Sequence, residues 1–180
     1  MNWANRLTLL RIVLVPVFMV FLLNKITHGE YIAAAVFILA ALTDSFDGYI
    51  ARKHNQVTKL GKLMDPVADK LLITAALISL VQMGKLSAWI AMVVIAREFV
   101  VTGLRGVAAS EGHVIAASIW GKLKTIAQIV AIVAIILNNF PFQYWDIPFD
   151  EIAIWIAVAL TIFSMIDYLY KSRKIFIDSR

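Results

Sequence analysis

Four aspartates carry the first chemical signal in the chain. The stretch from Asp44 to Lys70 reads DSFDGYIARKHNQVTKLGKLMDPVADK. Asp44, Asp47, Gly48 and Ala51 follow at helical spacing and share one face, and Gly61, Asp65 and Asp69 do the same. A short basic turn separates the two faces, so two antiparallel helices would bring four carboxylates together. Carboxylates grouped this densely repel one another unless cations hold them. Hard oxygen donors suit Mg²⁺ or Mn²⁺, with room for two ions. Gly48 and Ala51 clear side chains from the face, letting a phosphate-bearing ligand approach the backbone. Arg52, one turn beyond Gly48, is placed to pair with a phosphate oxygen. Two other readings stay open at this point. The aspartates could pair with Arg52, Lys53, Lys59, Lys62 and Lys70 in an interfacial charge network. They could also form the cation site of a small transporter, although the broken helices and inverted repeats expected of one are not apparent.

A second group of residues is cationic. Arg97 and Arg105 lie eight apart, on roughly one helical face, and Lys122 and Lys124 sit in the run Gly121-Lys122-Leu123-Lys124-Thr125. Cations set in apolar helices are costly unless they are paired or await an anion. The planar fork of arginine matches a phosphate. The alternatives are neutralisation of one arginine by Glu98 or Asp167, and snorkelling of Lys122 and Lys124 to an interface.

The elements that must position these groups are written in the composition. Of 180 residues, 61% are hydrophobic and 16% charged, with a mean hydropathy of +0.81. A soluble domain is about 45–50% apolar and about 25% charged, so the apolar excess must face lipid. Six stretches are long enough to cross a bilayer as helices: 7–23, 31–50, 60–83, 86–107, 114–137 and 152–170. An all-α integral membrane protein with one six-helix catalytic domain is expected. With the amino terminus in the cytoplasm, every Lys and Arg except Lys25 and Lys85 falls on that side or at its helix ends. Both termini and the aspartate site are then cytoplasmic, in a multi-pass protein of the inner or plasma membrane. The absence of cysteine excludes disulfides and thiol chemistry. Walker A, dinucleotide and zinc-protease patterns are absent too, and net charge alone gives no support for nucleic-acid binding.

The aspartate segment resembles, at every fixed position, the signature D-x2-D-G-x2-A-R-x8-G-x3-D-x3-D of the CDP-alcohol phosphatidyltransferases. Asp44, Asp47, Gly48, Ala51, Arg52, Gly61, Asp65 and Asp69 fill it. The resemblance implies a two-metal site for a CDP-linked lipid: Asp44 would bridge both ions, Asp47 would bind one, and Asp65 and Asp69 the other. Asp69 would also be the general base on the acceptor hydroxyl. It further implies that Gly48, Arg52 and Thr58 contact the CDP moiety, with Asn5 and Thr8 of an N-x-x-T element nearby, and that the protein is a homodimer. The blocks NWANRLTLLRIVLVP, AREFVVTGLR and GKLKT look like the bacterial branch of the family that makes phosphatidylglycerophosphate. That likeness implies CDP-diacylglycerol as donor and glycerol 3-phosphate as acceptor, with Arg97, Arg105 and Lys122 around the acceptor phosphate. Serine, inositol phosphate or a lipid remain alternative acceptors.

Overall fold

The computed structural model describes the backbone of residues 3–24, 26–54, 59–110, 112 and 118–178; side chains in 3–7, 44–54, 59–66 and 174–178 lie outside that description. Among the described residues six α-helices follow one another: α1 (Trp3–Leu23), α2 (Gly29–His54), α3 (Lys59–Gln82), α4 (Ala88–Ser110), α5 (Ile119–Ile136) and α6 (Phe149–Asp178). A short 3-10 helix, Phe142–Trp145, lies between α5 and α6. No strand occurs among the described residues.

The helix ends have local causes. At the end of α3, the Gly84 N–H donates to the Val81 carbonyl and the Lys85 N–H to that of Leu80, both at 3.0 Å. This is a Schellman cap, and its turning residue must take a left-handed backbone. Gly84 does so at φ +70°. The same pair of bonds closes α5, from Asn138 to Ile135 and from Asn139 to Ala134. Asn138 takes the left-handed place at φ 53°. The breaks expected at Gly84-Lys85 and Asn138 are therefore caps. Elsewhere the helices outrun the apolar stretches: α1 starts at Trp3 and α6 extends from Phe149 to Asp178. Apolar runs stop at the first charged residues, but the backbone hydrogen-bond ladder does not. Residues 114–117 of the fifth stretch lie outside the described residues.

Packing proceeds from small residues inward to large ones. The most extensive helix pair is α5 with α6, followed by α1 with α2 and α3. Ala33, Ala34 and Ala40 of α2 are fully or almost fully buried, which lets backbones approach. Phe18 of α1 and Phe37 of α2 fill the gap between them, ring centres 5.7 Å apart. Leu72, Leu77 and Leu80 of α3 and Ile132 and Ile136 of α5 continue this core. Large apolar side chains also point outward, among them Leu39, Trp89, Ile126, Trp155 and Phe163, each 60% exposed or more. Among the described residues, two helices hold apolar windows long enough to cross a bilayer, Ile119–Ile136 and Phe149–Arg173. Small residues inside and bulky apolar ones outside suit a lipid surround, where burying hydrocarbon against protein gives no advantage over burying it in lipid.

Polar contacts mark the two ends of the bundle. At one end the Glu30 carboxylate accepts Lys85 Nζ at 2.8 Å and the Asn138 amide. Helix α2, the α3–α4 turn and the end of α5 are tied there. In the interior, Gln128 Nε2 donates to Thr161 Oγ1 at 3.2 Å, and the Thr161 hydroxyl donates to the Ala157 carbonyl at 2.6 Å. One turn further along α5 and α6 the interior becomes charged.

Candidate active site

Glu98, on α4, is the centre of that charged region and is 8% exposed. Its Oε1 accepts Lys124 Nζ from α5 and stands 3.6 Å from Arg97 Nη1. Its Oε2 accepts Lys70 Nζ from α3 at 3.3 Å. One carboxylate thus joins three helices. A buried charge is tolerable only when paired and hydrogen-bonded, and each partner here solves that problem for the others.

Arg97, 5% exposed, is held from α6 as well. Its Nη2 donates to Ser164 Oγ, and its guanidinium carbon lies 5.6 Å from the centre of the Tyr168 ring, within cation–π range. The Tyr168 hydroxyl accepts the Ser118 backbone N–H at 3.0 Å, which fixes the ring against the start of α5. Arg97 Nε has no hydrogen-bond partner among the described residues.

These groups wall a cavity of about 420 Å³ between α3, α4, α5 and α6. Lys70, Arg97, Arg105, Lys122 and Lys124 supply five cations, and Asp69 and Glu98 two carboxylates. Thr102 and Thr125 add hydroxyls, while Val101, Ile126 and Ile129 form an apolar side. A low-dielectric cleft lined mainly by one sign of charge concentrates the opposite sign. A small anion is the ligand such walls favour.

Of the residues singled out in the sequence, Asp69, Arg97, Arg105 and Lys122 all line this cavity. Arg105 and Lys122 are exposed at its edge, while Arg97 is buried at its back. Thr8 is buried on α1 and is not part of the lining. Asp44, Asp47, Gly48 and Arg52 fall in the second half of α2 and Asp65 in α3, two helices in contact. The side chains at 44, 47, 52 and 65, that of Asn5, and the surroundings of Gly48 lie outside the described residues, as does Thr58 entirely. Among the described residues no three His, Asp or Glu side chains group as metal ligands. Asp69, the described member of the quartet, offers a hard-oxygen donor of the required kind. Its side chain is 42% exposed, and Lys70 Nζ stands 4.0 Å away, beyond hydrogen-bond range.

Several contributors went unassigned by sequence. Lys124 does not snorkel; its side chain is 4% exposed and paired with Glu98. Asp167 pairs with Lys171 at 2.8 Å, so among the two acids weighed as arginine partners it is Glu98 that meets Arg97. Thr161, Ser164, Tyr168 and Ser172 are all buried on α6. Their three- and four-residue spacing within an apolar helix was a readable sign of a polar inward stripe.

Comparison with known proteins gives this arrangement its context. The sequence matches the CDP-alcohol phosphatidyltransferase family over residues 1–163. It is 46% identical to the CDP-diacylglycerol–glycerol-3-phosphate 3-phosphatidyltransferase of Bacillus subtilis (strain 168), covering 95% of each chain. It is 38% identical to the proteins of the same name from Rickettsia felis, covering 97% of each chain, and from Haemophilus influenzae, covering 96% of this chain and 94% of the relative. With helices and no strand among its described residues, apolar outer faces, an aspartate signature complete at every fixed position and a cationic cavity beside the last aspartate of that signature, the chain belongs to the CDP-alcohol phosphatidyltransferase family.

Proposed function

We propose that this chain transfers the phosphatidyl group of CDP-diacylglycerol to a hydroxyl of glycerol 3-phosphate, giving phosphatidylglycerophosphate and CMP. The observation that carries this reading is the placement of Asp69 on the wall of a cavity otherwise dominated by Lys and Arg. The names of the relatives supply the donor and the acceptor. The cavity supports a phosphate-bearing acceptor, since serine carries no phosphate and would not need Arg105 and Lys122 at its edge.

Asp44, Asp47, Asp65 and Asp69 would hold two divalent cations, Mg²⁺ or Mn²⁺, which when bound offset the charge of the donor's diphosphate. The family uses divalent metal ions, and four aspartates on neighbouring helices provide hard donors of the right kind. The remaining work belongs to side chains. Arg105 and Lys122 bind the acceptor phosphate at the cavity edge, with Arg97 behind them. This fixes the hydroxyl near Asp69, which accepts its proton as the oxygen forms a bond to the phosphatidyl phosphorus. The bond from that phosphorus to the bridging oxygen breaks, and the electron pair leaves with CMP. A carboxylate is a weak base for an alcohol, so the contribution of Asp69 lies in position. Asn5, Thr8, Gly48, Arg52 and Thr58 form the CDP end of the site. The diacylglycerol tails stay among lipids, and all six helices cross the inner or plasma membrane with both termini cytoplasmic. A homodimer is the expected assembly.

The test is CMP release from CDP-diacylglycerol in mixed micelles with Mg²⁺ or Mn²⁺, one acceptor at a time. Turnover with glycerol 3-phosphate alone is expected. Turnover with serine or inositol phosphate and none with glycerol 3-phosphate would overturn the acceptor assignment.

A further inference from the structure

Resting on that reading, we infer that Glu98 is a positioning residue for phosphatidyl transfer: it holds Lys124 and Lys70 away from the acceptor phosphate and so reserves the anion for the cations nearer the cavity edge. The cavity carries more positive charge than one phosphate needs. Lys124, buried at its back, needs an anionic partner, and without Glu98 the acceptor phosphate would be drawn inward to serve as that partner. Glu98 Oε1 takes that ammonium, and Oε2 takes Lys70 at 3.3 Å. Lys70 is the residue next to Asp69, so the same carboxylate anchors the turn of α3 that carries the proposed base. Arg105 and Lys122 have no ion pair with Glu98 and remain at the edge to receive the anion. Removing the negative charge should therefore not weaken acceptor binding. It should let the phosphate settle too deep, with its hydroxyl displaced from Asp69.

This role has a kinetic signature that a merely structural one lacks. In Glu98→Gln, kcat is expected to fall by about tenfold or more while the KM for glycerol 3-phosphate stays level or drops. Adding Lys124→Met to Glu98→Gln removes the competing cation and should recover kcat severalfold, since residues in one ion-pair network do not act additively. Wild type is assayed in parallel with glycerol 3-phosphate. Absence of saturable turnover there would overturn the proposed function itself, whereas normal wild-type turnover isolates the Glu98 question. With wild type active, a Glu98→Gln enzyme within about twofold of wild type in both constants, or a double variant no faster than the single one, overturns the inference. If Glu98→Gln does not accumulate as folded protein, recovery of folded protein by the added Lys124→Met supports the charge-pairing role. Failure of both variants to accumulate overturns it in favour of a structural one.

Discussion

The hydroxyl of Tyr168 accepts the backbone N–H of Ser118 at 3.0 Å, across fifty residues of sequence. Ser118 is the residue just before α5, where an N–H has no partner within the helix. The side chain of α6 therefore caps the start of α5, and the same ring faces the guanidinium of Arg97. Tyr168→Phe leaves that N–H buried without an acceptor and should cost about 1–2 kcal/mol. Tyr168→Ala should cost more, since Arg97 then loses the ring as well. Thermal unfolding in detergent measures both, and equal melting temperatures for wild type and Tyr168→Phe would refute the capping role.

Asp69 tests the chemistry most directly. Asp69→Asn keeps the shape of the side chain and removes its ability to take a proton. Transfer should fall by about 10²–10⁴-fold, the usual contribution of a positioned base. Binding of the CDP-lipid should be largely kept, because four of the residues proposed to contact it, Asn5, Thr8, Gly48 and Arg52, belong to α1 and α2. Comparing CMP release with equilibrium binding of CDP-diacylglycerol separates the two effects.

Arg105 is expected to act on acceptor binding. It stands exposed at the cavity edge, so Arg105→Ala should raise the KM for glycerol 3-phosphate by about tenfold or more through loss of charge-assisted hydrogen bonds. The KM for CDP-diacylglycerol should change little. Arg105→Lys should recover only part of the loss, because an ammonium cannot make the two-pronged contact of a guanidinium. An acceptor KM unmoved by Arg105→Ala would remove this residue from the phosphate site.

Divalent ions should be indispensable. Treatment with excess chelator is expected to abolish CMP release, and Mg²⁺ or Mn²⁺ to restore it. Activity that survives chelation would leave the aspartate quartet without its proposed role.

The caps give a prediction on stability alone. Gly84 has open space around it, and only its φ of +70° demands glycine. Gly84→Ala should therefore cost about 1–2 kcal/mol, the penalty of a left-handed backbone for a residue with a Cβ. Gly103 also has open space but lies within α4 with no positive φ. Gly103→Ala should be neutral or slightly stabilising. Unfolding of the two variants side by side separates conformation from crowding.

Much of the fold was legible because apolar runs and turn residues report directly on helices and their ends. Gly84 and Asn138 were recognisable as breaks, since few other residues accept a left-handed backbone. Helix limits were less legible at α1 and α6, where the ladder continues through charged residues. In the site, Arg97, Arg105 and Lys122 stood out as cations in apolar surroundings, but their gathering beside Asp69 joins α3, α4 and α5 and is not a matter of helical spacing. The Glu98 hub was harder to see. Sequence spacing reveals neighbours on one helix, but Lys70, Glu98 and Lys124 come from three different helices. Their meeting depends on helix rotation and tilt, which hydropathy does not encode.

Ile126, 60% exposed, lines a cavity that carries both apolar and cationic side chains. On the proposed placement in the membrane, one reactant arrives by sliding within the plane of the leaflet while the other diffuses in from water. For such an enzyme the effective concentration of the donor is its mole fraction among neighbouring lipids. Diluting CDP-diacylglycerol with inert amphiphile at constant bulk amount should slow turnover, while adding buffer should leave the donor dependence untouched.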